Sequence, residues 1–481
     1  MEWIIPSGAA KDNSLMKINP STTRRQFIKR ASTAVAAFTI VPRHVLGGPR
    51  FVPPSEKVNI ALVGAGGRGM GNVRALMELP DAQVIALADP AGAAHHSAED
   101  KVRGGRQPSR AEIEKHYQAI TPNFKCNEYA DFRVLLEKEK AVDAVLCATP
   151  DHLHAYVSAI SMRAGKHMYC EKPLTHNIWE AREVARIARE TGVATQMGNQ
   201  GHAKVGIRQS VEFLQAGAIG TVREIHAWND GGRWNPTLLG KPEGAHPVPA
   251  GMDWDLWLGP RAKRDFHPAY HPVTWRDFWA FGCARIGDFA CHDLDAATWA
   301  FDLRDPVRLE AFSVGPTNDE IAPHGCVVHY DFPTRNGKQA PRVTWYDGGV
   351  RPRRVEALGE FRLPRRGVLF VGDKGAIQCD GAGGAPRLFP ESLRTTFKAP
   401  PETIKRSPGH HREWLDACKG GPAPVSNFEY GARLTEIGLL GLLAVRAGKP
   451  IEWDAKKMLV KGMPALEPII RGTYRKGWEI V

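Results

Sequence analysis

Between Val58 and Met197 the apolar and polar positions follow two alternating rhythms. Short, nearly continuous apolar runs, Val58–Val63 (VNIALV), Gln83–Ala88 (QVIALA), Val142–Ala148 (VDAVLCA), His167–Cys170 and Ala194–Met197, read as strands buried on both faces. Between them, Met70–Met77, Asp131–Lys138 (DFRVLLEK), His154–Ala164 and Ile178–Thr191 (IWEAREVARIARET) carry the spacing of amphipathic helices. The interval 91–120 is polar and irregular and predicts no regular element. Strand–helix alternation of this kind predicts an α/β fold, a doubly wound Rossmann-type parallel sheet. From about Val222 the rhythm changes. Val222–Trp228, Val307–Val314, Cys326–Asp331, Arg342–Asp347 and Val368–Gly372 predict strands joined by loops or turns, as in an α+β domain on a large, mostly antiparallel open sheet. A late helix, Tyr430–Arg446, completes the pattern. The expected divisions are a leader over residues 1–50, the parallel-sheet domain over 51–200, and a second domain over 201–481 whose last helix returns toward the first.

The first strand stops at a glycine-rich turn, GAGGRG, in which Gly64, Gly66 and Gly69 fit G-x-G-x-x-G. Gly64 permits the tight turn, Gly66 removes a Cβ where a pyrophosphate must approach, and Gly69 lets the following helix close on the strand. The helix N-terminus then aims its N–H groups at the phosphates, with Arg68 beside them. Twenty residues after Gly69 the second strand ends at Asp89. A carboxylate there accepts hydrogen bonds from an adenosine ribose and repels a 2′-phosphate, so the expected cofactor is NAD rather than NADP.

With 481 residues, 43% hydrophobic and 24% charged, the chain has ample core for two or three domains. The net charge of +12 would suit nucleic acid, but the basic residues are dispersed, so a solvated basic surface and no nucleic-acid partner are expected. Eight cysteines occur without a C-x-x-C pair, which excludes a zinc knuckle or redox dithiol of that spacing. At the N-terminus, Thr23-Arg24-Arg25-Gln26-Phe27-Ile28-Lys29 precedes the mildly apolar stretch Ala31–Val41. This resembles a bacterial twin-arginine export signal, starting at Met1 or Met16 and too short for a stable membrane span. Export to the periplasm in the folded state would require a tightly held cofactor.

Several groups offer chemistry. Glu171-Lys172-Pro173 ends a strand and places an ammonium at the carboxyl edge of the sheet, where ligands of such folds bind; a surface lysine paired with Glu171 is the alternative. Asp288 and His292 are four apart, so on a helix they share one face, as a general base with its orienting carboxylate or as a helix cap and a satisfied histidine. Thr149-Pro150-Asp151-His152-Leu153-His154 follows a strand, and two histidines at i, i+2 on a loop are poor metal ligands, so no metal is expected. Thr149, Pro150, His152 and His154 are read instead as lining the nicotinamide ribose, and Glu171, Asn199 and Gln200 as further cofactor contacts. Six of the 13 tryptophans (Trp228, Trp234, Trp254, Trp257, Trp275, Trp279) fall between residues 228 and 279, together with Tyr270, His271 and Arg276. Aromatic faces suit sugar rings, and packing claims some of these side chains. Tyr270, His271, Trp275 and Arg276 are the candidate substrate contacts, with Lys172, Asp288 and His292.

GAGGRG, ATPDHLH, CEKPLTHN, MGNQ, WDLWLGP, GDFACHDLD and SNFEYGARLTEIGLL…AGKPIEWD together resemble the Gfo/Idh/MocA oxidoreductases, over roughly residues 55–460. The resemblance is closest to an exported bacterial branch acting on sugars. It implies an NAD-dependent oxidoreductase of a sugar hydroxyl or ketone. Catalysis would rest on Lys172, Asp288 and His292, with Lys172 stabilising an oxyanion and Asp288 orienting His292. It also implies a homo-oligomer formed through the second-domain sheet. Relatives of the family also hydrolyse glycosides by transient oxidation, elimination and hydration, which is an alternative. A non-catalytic sugar-binding protein is a third reading, against which the intact Lys172, Asp288, His292 and Asp89 argue.

Overall fold

The computed structural model describes residues 52–93 and 104–480 apart from Asn336 and Lys338. The export-signal reading of residues 23–41 lies outside the described residues.

The first sheet holds six parallel strands, β1 (Val58–Val63), β2 (Ala82–Ala88), β3 (Asn127–Tyr129), β4 (Ala144–Cys147), β5 (His167–Glu171) and β6 (Thr195–Gly198), in the order β3-β2-β1-β4-β5-β6. Strand order reverses between β1 and β4, and it is at such a switch point that open α/β sheets bind ligands. Ile60, Leu62, Val145 and Leu146 are wholly buried, as the continuous apolar runs require. The second sheet holds nine strands: β7 (Val222–Asn229), β8 (Arg308–Val314), β9 (Gly325–Asp331), β10 (Arg342–Asp347), β11 (Arg366–Gly372), β12 (Gly375–Asp380), β13 (Pro386–Phe389), β14 (Ile451–Asp454) and β15 (Leu459–Val460). Their order is β13-β12-β11-β7-β10-β9-β8-β14-β15, antiparallel except for the β7–β10 pair. An α/β doubly wound sheet followed by a mostly antiparallel mixed sheet is the predicted fold class.

Seven helices frame the site: α1 (Gly67–Met77), α2 (Arg106–Gln118), α3 (Asp151–Arg163), α4 (Ile178–Thr191), α5 (Ala284–Asp293), α6 (His410–Cys418) and α7 (Phe428–Ala447). Helix α2 corrects the expectation that 91–120 lacks regular structure. It buries only the single stripe Ser109, Ile113 and Tyr117, so its apolar period is too faint to read. Helix α3 begins at Asp151, which places His152 and His154 on a helical first turn and not on a loop. Asn177 caps α4 through a capping box with Glu180, fixing the chain just after Glu171-Lys172-Pro173. Helix α7 is buried nearly all round because it packs against α4 on one side and α5, β8 and β9 on others. Each fully buried leucine there, Leu434 and Leu440 among them, contributes about 1.5–3 kcal/mol. Gly441 lets this helix close on the second sheet, since a Cβ there would lie 2.1 Å from the Tyr330 hydroxyl.

Candidate active site

The glycine turn is a cradle set by backbone contact. Gly64 has φ +94°, and a Cβ on it would stand 2.7 Å from the Ala148 carbonyl and the Thr149 nitrogen, at the end of β4. A Cβ on Gly69 would lie 2.3 Å from the Gly64 oxygen, so α1 could not close on β1. Gly66 has only Gly104 within 4 Å of such an atom, which leaves the space above it free for a ligand. Gly67 and Arg68, both exposed, open the first turn of α1, which starts three residues before the predicted Met70. Asp89 ends β2 and its carboxylate accepts from Ala65 N (2.7 Å) and Ala91 N (2.8 Å), so it also holds the turn in shape. Burial raises its pKa. Arg106 at the start of α2 donates to the Asp89 carbonyl, and Gly105 N and Ser109 Oγ cap the Ala65 carbonyl. This brace comes from the helix that the polar pattern of 91–120 conceals.

At the end of β5, Lys172 Nζ donates to the Asp288 carboxylate (2.5 Å) and to its carbonyl (2.9 Å). Glu171 is not its partner. That carboxylate is buried and accepts from Asn72 Nδ2 and Gln200 Nε2, each at 2.7 Å, with Oε2 left without a partner. Asp288 and His292 do share one face of α5, yet no hydrogen bond joins them among the described residues. This corrects the role expected for Asp288, whose carboxylate is turned to Lys172 and lies 3.8 Å from Arg276 Nε. Burial pushes the Asp288 carboxyl up, but Lys172 and Arg276 outweigh it and hold the group well below its ordinary range. For His292, burial and then repulsion from Lys172 and Arg366 drive the pKa well below 6.5, so the ring is neutral. Its Nδ1 is sealed from solvent without a partner.

The other expected cofactor contacts divide. His152 Nε2 lies 2.9 Å from the Trp257 carbonyl and Nδ1 3.3 Å from that of Phe281, of which the neutral ring donates to one, and burial pushes its pKa down to about 3, so it is a core group and not a ribose contact. His154 bridges the carbonyls of Pro173 (2.7 Å) and Thr149 (2.8 Å), tying the loops after β4 and β5 together. Thr149 and Pro150 remain at the sheet edge. Asn199 is wholly buried, bonding Asp295 and Ser426, whereas Gln200 donates to Glu171 and Tyr169. Cys147, His154 and Cys170 bring three ligand-type atoms within 4.8 Å of one another, but both His154 nitrogens already face carbonyls.

Trp254, Trp257, Tyr270 and Trp275 are buried with Phe266, Phe278 and Phe281 in one aromatic cluster, so Tyr270 and Trp275 are packing residues and not substrate contacts. His271 lies edge-on to Trp257 at 6.0 Å. Arg276 is the member of this segment that reaches the Lys172–Asp288 pair; its guanidinium lies 4.2 Å from the Trp275 ring and 5.5 Å from that of Trp234. Arg285, Phe289 and Arg366 complete the surroundings: Arg285 stacks on Trp234 (4.0 Å) and Phe289 (5.1 Å), and Arg366 lies over Phe289 (4.6 Å) while pairing with Asp293. Arg285 stands three residues before Asp288 and could have been found by helical spacing; nothing in the sequence marks Arg366.

The sequence matches the Gfo/Idh/MocA oxidoreductase models, the NAD-binding Rossmann fold over residues 58–199 and the C-terminal alpha/beta domain over 207–327. The chain belongs to this oxidoreductase family. Among relatives of this Gfo/Idh/MocA protein is the 2,7-anhydro-N-acetylneuraminate hydratase of Mediterraneibacter gnavus, 26% identical over 37% of this chain and 40% of its own length. Another is a glycosyl hydrolase family 109 protein of Stenotrophomonas maltophilia, 26% identical over 42% of this chain and 41% of its own. The matched region thus spans about two fifths of these relatives. The fold is also that of the WlbA dehydrogenase of Bordetella pertussis, solved with NADH and UDP-GlcNAcA, at 14% identity (83% of this chain, 98% of that one; TM-score 0.57). The aldose-aldose oxidoreductase of Caulobacter crescentus shares it at 16% identity (82% and 100%; TM-score 0.54).

A nicotinamide cofactor fits the residues present in this family member. The glycine cradle leaves room above Gly66, Arg68 is exposed at the phosphate end, and His292, whose Nδ1 has no partner, lies within electrostatic reach of Lys172. Nothing among the described residues is a helix long and apolar enough to cross a membrane.

Proposed function

We propose that this protein is an NAD-dependent oxidoreductase acting on a hydroxyl or ketone of a sugar or sugar derivative. The observation that carries the reading is the Lys172–Asp288 ion pair beside a neutral, unpartnered His292 at the carboxyl edge of the parallel sheet. Bound nicotinamide would supply the two-electron acceptor. His292 would take the hydroxyl proton, which its neutral state allows, and Lys172 would stabilise the developing oxyanion. Asp288 would hold Lys172 in place. Ketone reduction uses the same groups in opposite protonation states. The Asp89 carboxylate beside the turn favours NAD over NADP. The export reading of residues 23–29 adds that the cofactor stays tightly bound in a periplasmic protein. Assembly through the second sheet belongs to the same proposal.

A second reading is favoured by the hydratase and family 109 relatives: oxidation acidifies the neighbouring C–H, the glycosidic group leaves, water adds, and the electrons return, giving net hydrolysis. Mass analysis of products from a panel of methyl glycosides, with no added acceptor, separates the two. A product two mass units lighter, in proportion to enzyme, marks oxidation; free sugar and methanol over many turnovers mark hydrolysis. No product with any member, and no bound nicotinamide in the purified protein, would sink both.

A further inference from the structure

One buried histidine near the sheet edge faces more acceptors than a neutral ring can answer. His154, 1% exposed, has Nδ1 2.7 Å from the Pro173 carbonyl and Nε2 2.8 Å from the Thr149 carbonyl. A carbonyl oxygen only accepts, and a neutral imidazole has one N–H. Uncharged, the ring would press the lone pair of its second nitrogen against a carbonyl oxygen. As imidazolium it donates to both. A counter-charge lies beside it. Cys147 and Cys170 are paired in register on β4 and β5, and their sulfurs and a His154 ring nitrogen lie within 4.8 Å of one another. Thr149 Oγ1 stands 3.3 Å from Cys147 Sγ, where a hydroxyl can donate to a thiolate. Burial pushes the Cys147 thiol up, but the Cys170 thiol, the His154 charge and Thr149 outweigh it and hold the group down to about 6. Burial likewise pulls His154 down, and Cys147, Asp151 and the two carbonyls outweigh it and raise the pKa. Asp151, three residues earlier on α3, also faces Lys172 and Arg276, with Asp288 opposing, so its charge is shared. His152 marks the contrast: its Nδ1 contact is 3.3 Å, and burial and then Arg261 push it down to about 3.

We infer that His154 is an imidazolium paired with the Cys147 thiolate, and that this buried pair is a positioning device for the proposed reaction. The cation clasps two loops: Thr149 stands two residues past β4, and Pro173 directly follows Lys172. Its two donated bonds fix the carboxyl ends of β4 and β5 relative to each other, and with them the backbone that carries Lys172. His154 touches no reacting atom and acts through the chain on either side. The positioning role rests on the sugar oxidoreductase reading, whereas the charge state does not. A neutral residue of the same reach would answer one carbonyl and leave the other unpaired beside Lys172.

Nitrogen-15 NMR of the intact protein, labelled at histidine, reads the ring directly; the signal is assigned with His154→Gln or by its response to Cys147→Ser. Two protonated ring nitrogens are expected at pH 8, where an ordinary imidazole is neutral. A single proton there would overturn the inference. Cys147→Ser puts a hydroxyl that stays neutral in place of the thiolate, so the ring should give up its proton at a pH lower by roughly one unit or more. A ring that titrates as in the parent would take Cys147 out of the pair and overturn the inference as well. Turnover of the methyl glycosides reads the positioning role. Discharging His154 should lower kcat, so in Cys147→Ser the alkaline limb should move toward neutrality while the acid limb stays. A merely structural role would leave that limb in place and sink the positioning claim. His154→Gln should lose turnover roughly 10- to 100-fold. No turnover with any glycoside defeats the oxidoreductase reading, and the ring signal still decides the charged pair.

Discussion

At the residue scale the site turns on which group holds which. His292 has no hydrogen-bonded carboxylate, and burial beside Lys172 and Arg366 outweighs the nearby Asp288 charge and holds its pKa well below 6.5, so the ring is neutral. If it accepts the substrate proton, the acid limb of kcat/KM lies well below pH 6.5 and the profile is level through neutrality. An acid limb centred at 6.5 or higher would mean an imidazole held by a partner, contrary to the geometry. His292→Asn should cost roughly 10²–10⁴ in turnover with cofactor content retained. Lys172→Met has a double effect, because it removes the ammonium and leaves Asp288 buried without its counter-ion. Turnover should fall roughly 10²–10³-fold or more. The Asp288 carboxyl should also titrate higher once Lys172 is gone, which carbon-13 NMR of labelled aspartate would detect. A carboxyl signal that does not move would show that Arg276 alone fixes its charge.

At the scale of elements, the glycine turn shows how little room the framework leaves. Gly69→Ala places a methyl 2.3 Å from the Gly64 carbonyl, and backbone cannot yield as a flexible side chain would. The expected cost is about 1–3 kcal/mol of stability together with loss of bound nicotinamide, measured by thermal melting and by cofactor absorbance of the purified protein. Gly66→Ala, with open space around it, should melt like the parent yet bind cofactor poorly; unchanged cofactor content would place the pyrophosphate elsewhere. These elements were legible in advance because buried parallel strands read as unbroken apolar runs and because glycine spacing has a fixed meaning beside them. Helix α2 was not legible, since one buried stripe in a polar helix leaves too weak a period. Nor were β12 to β15, which are short and lie toward the sheet edges. Spacing along α5 placed Asp288 and His292 on one face, but it could not say which of them meets Lys172. In the irregular segment 228–279 no period distinguishes inward from outward rings. Tyr270 and Trp275 therefore proved to be core, and Trp234, flanked by two arginines, stood unmarked among six tryptophans.

At the scale of the whole molecule, the same burial that sets the site also governs how the fold responds to acid, through two opposed sets of groups. His152 and His410 are buried and pushed down to about 3, so between pH 6.5 and 3 the unfolded chain takes up protons that the native state refuses. Their stabilising contribution is whole above 6.5 and is lost as pH falls, at about 1.4 kcal/mol per pH unit each. Asp151 and Asp293, which burial raises to about 6, act in the opposite sense: the native state binds their protons first, so their contribution grows as pH falls from 6 toward 4. The total pH dependence is a difference between the two and says little about either set. A single substitution isolates one member. In His152→Asn the amide can still donate to the Trp257 carbonyl, but nothing titrates. The variant should be less stable than the parent at pH 7, and that gap should narrow by about 2 kcal/mol at pH 5. Urea unfolding at both pH values measures it. A gap that stays constant would mean that folded His152 takes up its proton as readily as the unfolded chain does and is charged at pH 5. The carbonyls of Phe281 and Trp257 would then be holding a charged ring, and the join between α3 and the aromatic segment that carries Arg276 would rest on that charge.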